Sequence, residues 1–330
     1  MISTKLTEKL GIRHPIIQAG MGGVARAELV AAVSNAGGLG MLGMVRMTPD
    51  FIRDQIQKTR ALTKHPFGVN LIQPVAPASG FESQLEVCIE ERVPVVSLFW
   101  SDPAPFVQRC HAAGIVVMLQ VGSAEEASRA ADAAVDIIAA QGVEAGGHVR
   151  GQVGLLPLLP TVVEAVTPVP VVAAGGIVNG RGLAAALALG ADGVLVGTRF
   201  VASEESEAHA DYKKRLVAAS QTDAIYTEIF HVGWPPNSPH RVLKNPLTDG
   251  SSAPPGPIAS LRIGDQTFEV PPFGSAPPTI HTEGSIELMA NYAGQGVGLV
   301  HNILPAAEIV QQMVSEAEAS IRLLSSKLTY

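Results

Sequence analysis

Apolar residues in this chain come in short continuous runs, not in alternation with polar ones. Residues 15–21, 39–43, 66–72, 94–100, 115–121, 136–141, 170–176 and 192–199 are each dominated by Ile, Val, Leu, Met, Ala and Gly. An alternating strand has one wet face. A continuous apolar strand is buried on both faces, the condition of a parallel sheet. Between the runs lie stretches with helical character, among them 26–35, 49–62, 81–92, 103–113, 157–166 and 180–189. Thr48-Pro49-Asp50 marks one start, because Thr48 can cap and Pro49 suits a first helical turn. Ser123-Ala124-Glu125-Glu126 reads as a capping box. A Pro-rich loop separates the third strand from its helix. Eight such units within roughly 200 residues predict an α/β fold, a TIM (β/α)8 barrel, in preference to an open doubly wound sheet.

The pattern changes after residue 221. Trp234-Pro235-Pro236-Asn237-Ser238-Pro239, Ala253-Pro254-Pro255-Gly256-Pro257 and Pro271-Pro272-Phe273 cannot be regular helix or central strand. The predicted organisation is a barrel over 1–221 and a Pro-rich insertion or small subdomain over 222–285. The insertion would lie over the barrel mouth or at a subunit contact. A helical segment over 286–330 packs back on the barrel, with helices at 286–293 and 305–324.

Composition narrows the class. At 330 residues, 47% hydrophobic and 16% charged, the chain can bury a large core and is not disordered. A formal net charge of −7 argues against a nucleic-acid partner, which would want a basic face. Cys88 and Cys110 stand in no metal or redox spacing and read as reduced, buried thiols. The first residues lack the apolar core of a signal peptide, and no run reaches the ~18 apolar residues of a membrane span. The expectation is a cytoplasmic protein with no membrane partner.

Candidate chemistry centres on Glu144-Ala145-Gly146-Gly147-His148, directly after the run 136–141. Paired glycines let backbone approach a flat or phosphorylated ligand. A histidine beside them can exchange a proton near neutral pH. The same residues also suit a tight strand-to-helix turn followed by a solvated histidine. Four glycine-ended strands converge on one barrel face: 19–22, 145–147, 174–176 and 196–198. Gly175-Gly176 and Gly197-Thr198 end strands seven and eight, where barrels frequently bind phosphate through backbone N–H groups. Close helix–strand packing uses glycine as well. Asn70 and Gln120 end strands three and five and can address a heterocycle edge, or cap their loops. Tyr292 and Gln295, in a glycine-rich stretch, can line a substrate pocket or belong to a helix–turn.

Other chemistries find less support. No Gly-x-Gly-x-x-Gly fingerprint follows the first strand, and no Gly-x-Ser-x-Gly elbow occurs. The remaining histidines are scattered without metal-ligand spacing. His231 and His240, in the insertion, read as solvated or structural.

Together these motifs resemble the nitronate monooxygenase family, formerly called 2-nitropropane dioxygenases. The resemblance runs through Pro15-Ile16-Ile17-Gln18-Ala19-Gly20-Met21-Gly22, Phe67-Gly68-Val69-Asn70, Glu144 to His148, Ala173-Ala174-Gly175-Gly176-Ile177 and residues 190–200. It implies an FMN-dependent TIM barrel that oxidises alkyl nitronates with O2 to a carbonyl compound and nitrite. It implies a flavin ring over Ala19, Gly20, Met21 and Gly22, with Asn70 and Gln120 at its edges. Ala145, Gly146 and Gly147 would approach it, and Gly175, Gly176, Gly197 and Thr198 would hold its phosphate. His148 would be the acid/base. FMN-dependent enoyl-acyl-carrier-protein reductases and NAD(P)H:quinone reductases look similar at these motifs, so an NAD(P)H-dependent reductase stays open. So does a flavin-binding barrel without turnover. Arg150 stands where related proteins often carry glycine, which puts the pocket's shape in question. A homodimer through the apolar insertion would suit this composition.

Overall fold

The structure is a computed structural model and describes residues 2–73 and 80–328. The strands of its first two thirds are β1 (Ile16–Gln18), β2 (Gly40–Gly43), β3 (Phe67–Ile72), β4 (Val95–Phe99), β5 (Val116–Val121), β6 (Ile137–Gln141), β7 (Gly147–His148), β8 (Val171–Ala174) and β9 (Gly193–Val196). All but β7 pair in parallel in the order β1-β9-β8-β6-β5-β4-β3-β2. A parallel bridge between Ile17 and Leu39 closes the circle. The predicted eight-stranded barrel is therefore present. Its helices are α2 (Ala27–Asn35), α3 (Pro49–Leu62), α4 (Gly80–Glu90), α5 (Ala104–Ala112), α6 (Ala124–Asp132), α7 (Leu155–Val166) and α8 (Gly180–Ala188), after a short α1 (Lys5–Leu10). The Pro-rich loop expected between β3 and α4 lies at 74–79, outside the described residues.

The continuous apolar runs are buried on both faces, as parallel strands require. Inward residues such as Ile17, Met41, Met118, Ile137 and Val172 form one cluster. Outward ones such as Val69, Val96, Val117 and Ile138 pack under the helices. Leu6 and Leu10 of α1 join the inner cluster and floor the barrel. Thr4 both caps α1 and donates to the Asp192 carbonyl at 2.7 Å, fastening that floor at the start of β9. With the amino-terminal end plugged, the open end is the carboxyl one. Register sets the strand ends there side by side: Gly43 opposite Asn70, Asn70 opposite Ser97, Phe99 opposite Gln120, and Gln141 opposite Ala174.

Caps follow the sequence closely, with one difference. Thr48 accepts from the Phe51 amide, and Pro49 opens α3. Ser123 accepts from the Glu126 amide, but Glu126 does not return to its own cap. Its carboxylate reaches one residue further, to the Gly122 amide at 2.8 Å, and meets Arg150 at 2.5 Å.

After β9 come α9 (Thr198–Val201) and α10 (Ala210–Ala218). The Pro-rich region then yields strands that its composition hides. β10 (Ala224–Thr227) pairs with β11 (His240–Leu243), and the other edge of β11 pairs with β7 from the barrel. β12 (Ala259–Ile263), β13 (Gln266–Val270) and β14 (Thr282–Gly284) form a second small sheet. The Pro clusters occupy the connections before β11, before β12 and after β13.

The helix expected at 286–293 is absent. Only Ile286–Leu288 turns, as a 3-10 segment. Beyond it the chain is drawn against β11: the Leu243 amide donates to Asn291 at 2.8 Å and the Ala293 amide to Arg241 at 3.2 Å. Buried Asn291 donates to the carbonyls of Ile286 and Met289, both at 2.9 Å. Tertiary hydrogen bonds override local helix preference here. The last helix, α11 (Ala306–Ser325), packs against α8, where Glu316 accepts from the Gly180 amide that opens that helix. Cys88 and Cys110 are free and buried. Among the described residues, no helix is long and apolar enough to cross a membrane.

Candidate functional site

A cavity of about 830 Å³ opens at the carboxyl ends of the barrel strands. It gathers nearly every residue singled out from sequence. Ala19, Gly20, Met21 and Gly22 line it after β1, Asn70 from β3 and Gln120 from β5. Ala145, Gly146, Gly147 and His148 follow from β6 and β7, Gly175 and Gly176 after β8, and Gly197 and Thr198 after β9. Tyr292 lines it too. Gln295 does not: its side chain is exposed, and its amide donates to the Glu144 carbonyl at 2.9 Å. Arg150, the departure noted in the sequence, lies outside the cavity and pairs with Glu126.

The glycines serve two ends. Some permit close packing: a Cβ on Gly20 would stand 2.3 Å from the Asn70 Cβ, and one on Gly146 would stand 2.4 Å from the Gly294 amide nitrogen. Others face open space. Gly147 has φ 73°, a left-handed conformation that glycine adopts without cost, and a Cβ there would meet nothing within 4 Å. A Cβ on Gly197 would make only ordinary contacts, at 3.8 Å, with Ala19 and Met21. Thr198 accepts from the Gly294 amide at 3.0 Å, which ties the loop after β9 to the chain beyond Tyr292. The hydroxyl proton of Thr198 stays free to donate.

His148 is fixed by its backbone. On one side β7 pairs with β11, with His148 opposite His240. On the other, Gln141 at the end of β6 donates to the His148 carbonyl at 2.9 Å and accepts from the Arg150 amide at 2.8 Å. The imidazole sits in an aromatic wall. It stacks on Trp234 with centroids 3.4 Å apart and planes 23° apart, with Trp100 at 5.5 Å and Tyr292 at 5.7 Å. Among the described residues its buried Nε2 has no hydrogen-bond partner, and neither does the buried Trp100 Nε1. A buried polar atom without a partner is costly, so such an atom at a cavity marks a place for a ligand.

Electrostatics keep this imidazole neutral. Burial, then His240 and Arg46, hold its pKa well below the usual histidine value. His240 is structural, one of the two readings open from sequence. Its Nδ1 bonds the Ser238 carbonyl at 3.0 Å and its Nε2 accepts from the Phe230 amide at 3.2 Å. Those bonds select one neutral tautomer, and burial lowers its pKa as well. His231 is exposed, the other reading.

Sequence reasoning missed four contributors: Trp100, Trp234, Gln141 and Arg46. A signal existed for two of them. The chain has only two tryptophans, and both lie beside His148. Gln141 and Arg46 carry no local signature; only their neighbours in space give them a role.

A family model described as nitronate monooxygenase matches residues 3–80 and 73–316. The chain belongs to the nitronate monooxygenase family. It is 41% identical over 248 residues to a (3aS,4S,5R,7aS)-5-hydroxy-7a-methyl-1-oxo-octahydro-1H-indene-4-carboxyl-CoA dehydrogenase of Rhodococcus jostii, a match covering 75% of this chain and 67% of that protein. It is 36% identical to a probable nitronate monooxygenase of Staphylococcus haemolyticus, over 69% of this chain and 76% of that one. Among solved structures it resembles FabK from Thermotoga maritima, with TM-score 0.83 and 33% identity, covering 99% of this chain and all of that one. A nitroalkane oxidase from Streptomyces ansochromogenes matches with TM-score 0.80 and 32% identity, covering 97% and 99%. The chain is thus an oxidoreductase of this family and an enzyme, which sets aside the reading as a barrel without turnover.

Proposed function

We propose that the cavity seats FMN and that the protein oxidises alkyl nitronates with O2 to a carbonyl compound and nitrite. One observation carries this reading: a neutral, buried imidazole with an unpartnered Nε2 stands beside a cradle of glycines at the mouth of the barrel. The residues fit the cofactor. Ala19 to Gly22 would lie against its ring, with Asn70 and Gln120 at the polar edges. Gly175, Gly176, Gly197 and Thr198 would hold the phosphate, where Gly197 leaves room and Thr198 keeps a hydroxyl proton to donate. FMN, when bound, would supply the redox chemistry between the substrate and O2.

The rest falls to the chain. Neutral His148 takes the α-proton of a nitroalkane at Nε2 and so generates the nitronate. Its low pKa keeps the base form available through neutral pH and into mild acid. The wall of Trp100, Trp234 and Tyr292 excludes water around it. Gln141 and β11 hold its backbone, so the imidazole needs little reorganisation to react.

A second reading has an observation of its own. The cavity extends outward along the β12–β13 hairpin, past Leu261, Arg262, Ile263 and Phe268, further than a small nitroalkane needs. That room suits a bulky enoyl thioester or quinone reduced by NAD(P)H, with His148 protonating the substrate carbon. The test is purification followed by two assays. The account expects yellow protein with about one FMN per chain and nitrite release from nitroethane. Colourless protein that ignores added FMN would contradict both readings.

A further inference from the structure

Four arginine and lysine side chains line the cavity: Arg26, Arg46, Lys58 and Arg262. The Arg26 Nε lies 4.0 Å from the Glu207 carboxylate, and the Lys58 Nζ lies 2.8 Å from Asp54. Arg262 is exposed to solvent, where a lone charge costs little. Arg46 is different. It is half-buried, and among the described residues it has no carboxylate partner. Its Nη2 donates to the Gly233 carbonyl and to the Ser275 Oγ at 3.2 Å. Among the described residues its Nε and Nη1 have no protein acceptor.

The surroundings hold this cation in place. Arg46 has φ 60°, the left-handed region that a side chain rarely adopts without compensation. Its guanidinium lies 5.4 Å from the centroid of Trp234, the same indole that stacks on His148. Ser275 donates its hydroxyl to Val232 at 2.9 Å and accepts from the Tyr292 hydroxyl at its carbonyl, at 2.8 Å. Burial pulls the Arg46 pKa down, so the site works against a charge that it nevertheless keeps. A desolvated cation with free donors and no protein anion is matched when a ligand brings the negative charge.

We propose that Arg46 is the anion handle of this cavity, its positive charge and the N–H groups it leaves unused binding a small planar oxyanion. It deepens the reading above and rests on it for the anion's identity, the nitronate group. The recognition chemistry itself, two oxygens sharing one negative charge, is common to nitronates and carboxylates. Two forms of substrate then lean on different residues. A preformed nitronate needs Arg46 to bind but no base. A neutral nitroalkane needs His148 to lose its proton.

The test uses the FMN-loaded full chain and the intrinsic fluorescence of its two tryptophans, both beside His148. The probe is propionate, an unreactive planar anion, with neutral propionamide as control. Wild type is expected to bind propionate saturably. Arg46→Gln should weaken that binding by about tenfold or more while leaving propionamide unchanged. Arg46→Lys should fall between, because an ammonium keeps the charge and loses the fixed N–H directions of the guanidinium. In turnover, Arg46→Gln should raise KM for propyl-nitronate far more than it lowers kcat. If Arg46→Gln does not fold, Arg46→Lys decides through the same propionate-to-propionamide ratio. Absence of propionate binding by wild type, or an equal loss for propionamide, overturns the proposal. If propionate binding depends on Arg46 but nitronates are not oxidised, the handle stands and the nitronate reading falls. If nitronates are oxidised by Arg46→Gln with unchanged KM, the handle falls and that reading stands.

Discussion

The glycine cradle and the aromatic wall around His148 meet at one cavity, yet they come from opposite kinds of sequence. The cradle is backbone, supplied by strand ends at 19–22, 145–147, 175–176 and 197, where most added methyl groups would collide. The wall is side chain, supplied by Trp100, Trp234, Tyr292 and Arg46 from loops distant in the chain. The difference separates two tasks. A shape made of backbone is rigid and general, suited to a cofactor. A surface made of side chains can be exchanged without disturbing the barrel, suited to a substrate.

The sharpest break in this division is His148→Ala. Turnover of neutral nitroethane, read as nitrite release at neutral pH, is expected to fall by about 10²–10⁴-fold. FMN content should stay near one per chain, because the cradle is untouched. Turnover of preformed nitronate should suffer far less. Next in size are the cradle glycines. Gly146→Ala pushes a methyl group to 2.4 Å from the Gly294 amide nitrogen and should cost about 1–3 kcal/mol in denaturant unfolding. Gly147→Ala meets no atom within 4 Å and should cost about 1–2 kcal/mol, from its left-handed backbone alone.

Trp234→Ala addresses the wall alone. Losing the stacked indole re-exposes the imidazole to water, so its pKa should rise toward the ordinary value. The acid limb of the nitroethane pH–rate profile should move to higher pH, with FMN affinity unchanged. Stability has its own pH dependence. His148 and His240 are held neutral when folded, with pKa values below that of the unfolded chain. The unfolded chain therefore binds more protons below about pH 6.5, and stability should decline as pH falls from there toward the folded values. Thermal unfolding followed between pH 8 and pH 5 checks this. The smallest expected effect is Arg150→Ala. Its pair with Glu126 is partly exposed and outside the cavity, so the change should be about 1 kcal/mol or less, with normal turnover.

The barrel was legible because its strands carry their burial in their composition. A run such as residues 115–121 needs no partner to show that both its faces are dry. The cradle was legible for the same reason, since a glycine at a strand end is a local mark. The small β10–β11–β7 sheet and the wall were not. β11 is wholly buried, yet it reads His240-Arg241-Val242-Leu243. Its polar members find partners outside the strand: Arg241 donates from Nη1 and Nη2 to the Ala224 and Val143 carbonyls at 3.0 and 2.8 Å, and His240 bonds Ser238 and Phe230. No periodicity announces such a strand. Residues 289–293 failed the opposite way, with apolar spacing that suited a helix and an edge of β11 that claimed the chain instead. Gln295 was placed in the pocket on the strength of its glycine-rich stretch; Gly294 and Gly296 do line the cavity, but the Gln295 side chain is exposed and does not.

One measurement tests the account most directly: anaerobic mixing of purified, FMN-loaded protein with propyl-nitronate, NADH or NADPH in separate shots, following flavin absorbance. The account predicts rapid loss of oxidised-flavin absorbance with propyl-nitronate and none on that timescale with either nicotinamide. Fast bleaching by NADH or NADPH, with no response to nitronate, would contradict it and assign the cavity to a reductase of enoyl thioesters or quinones.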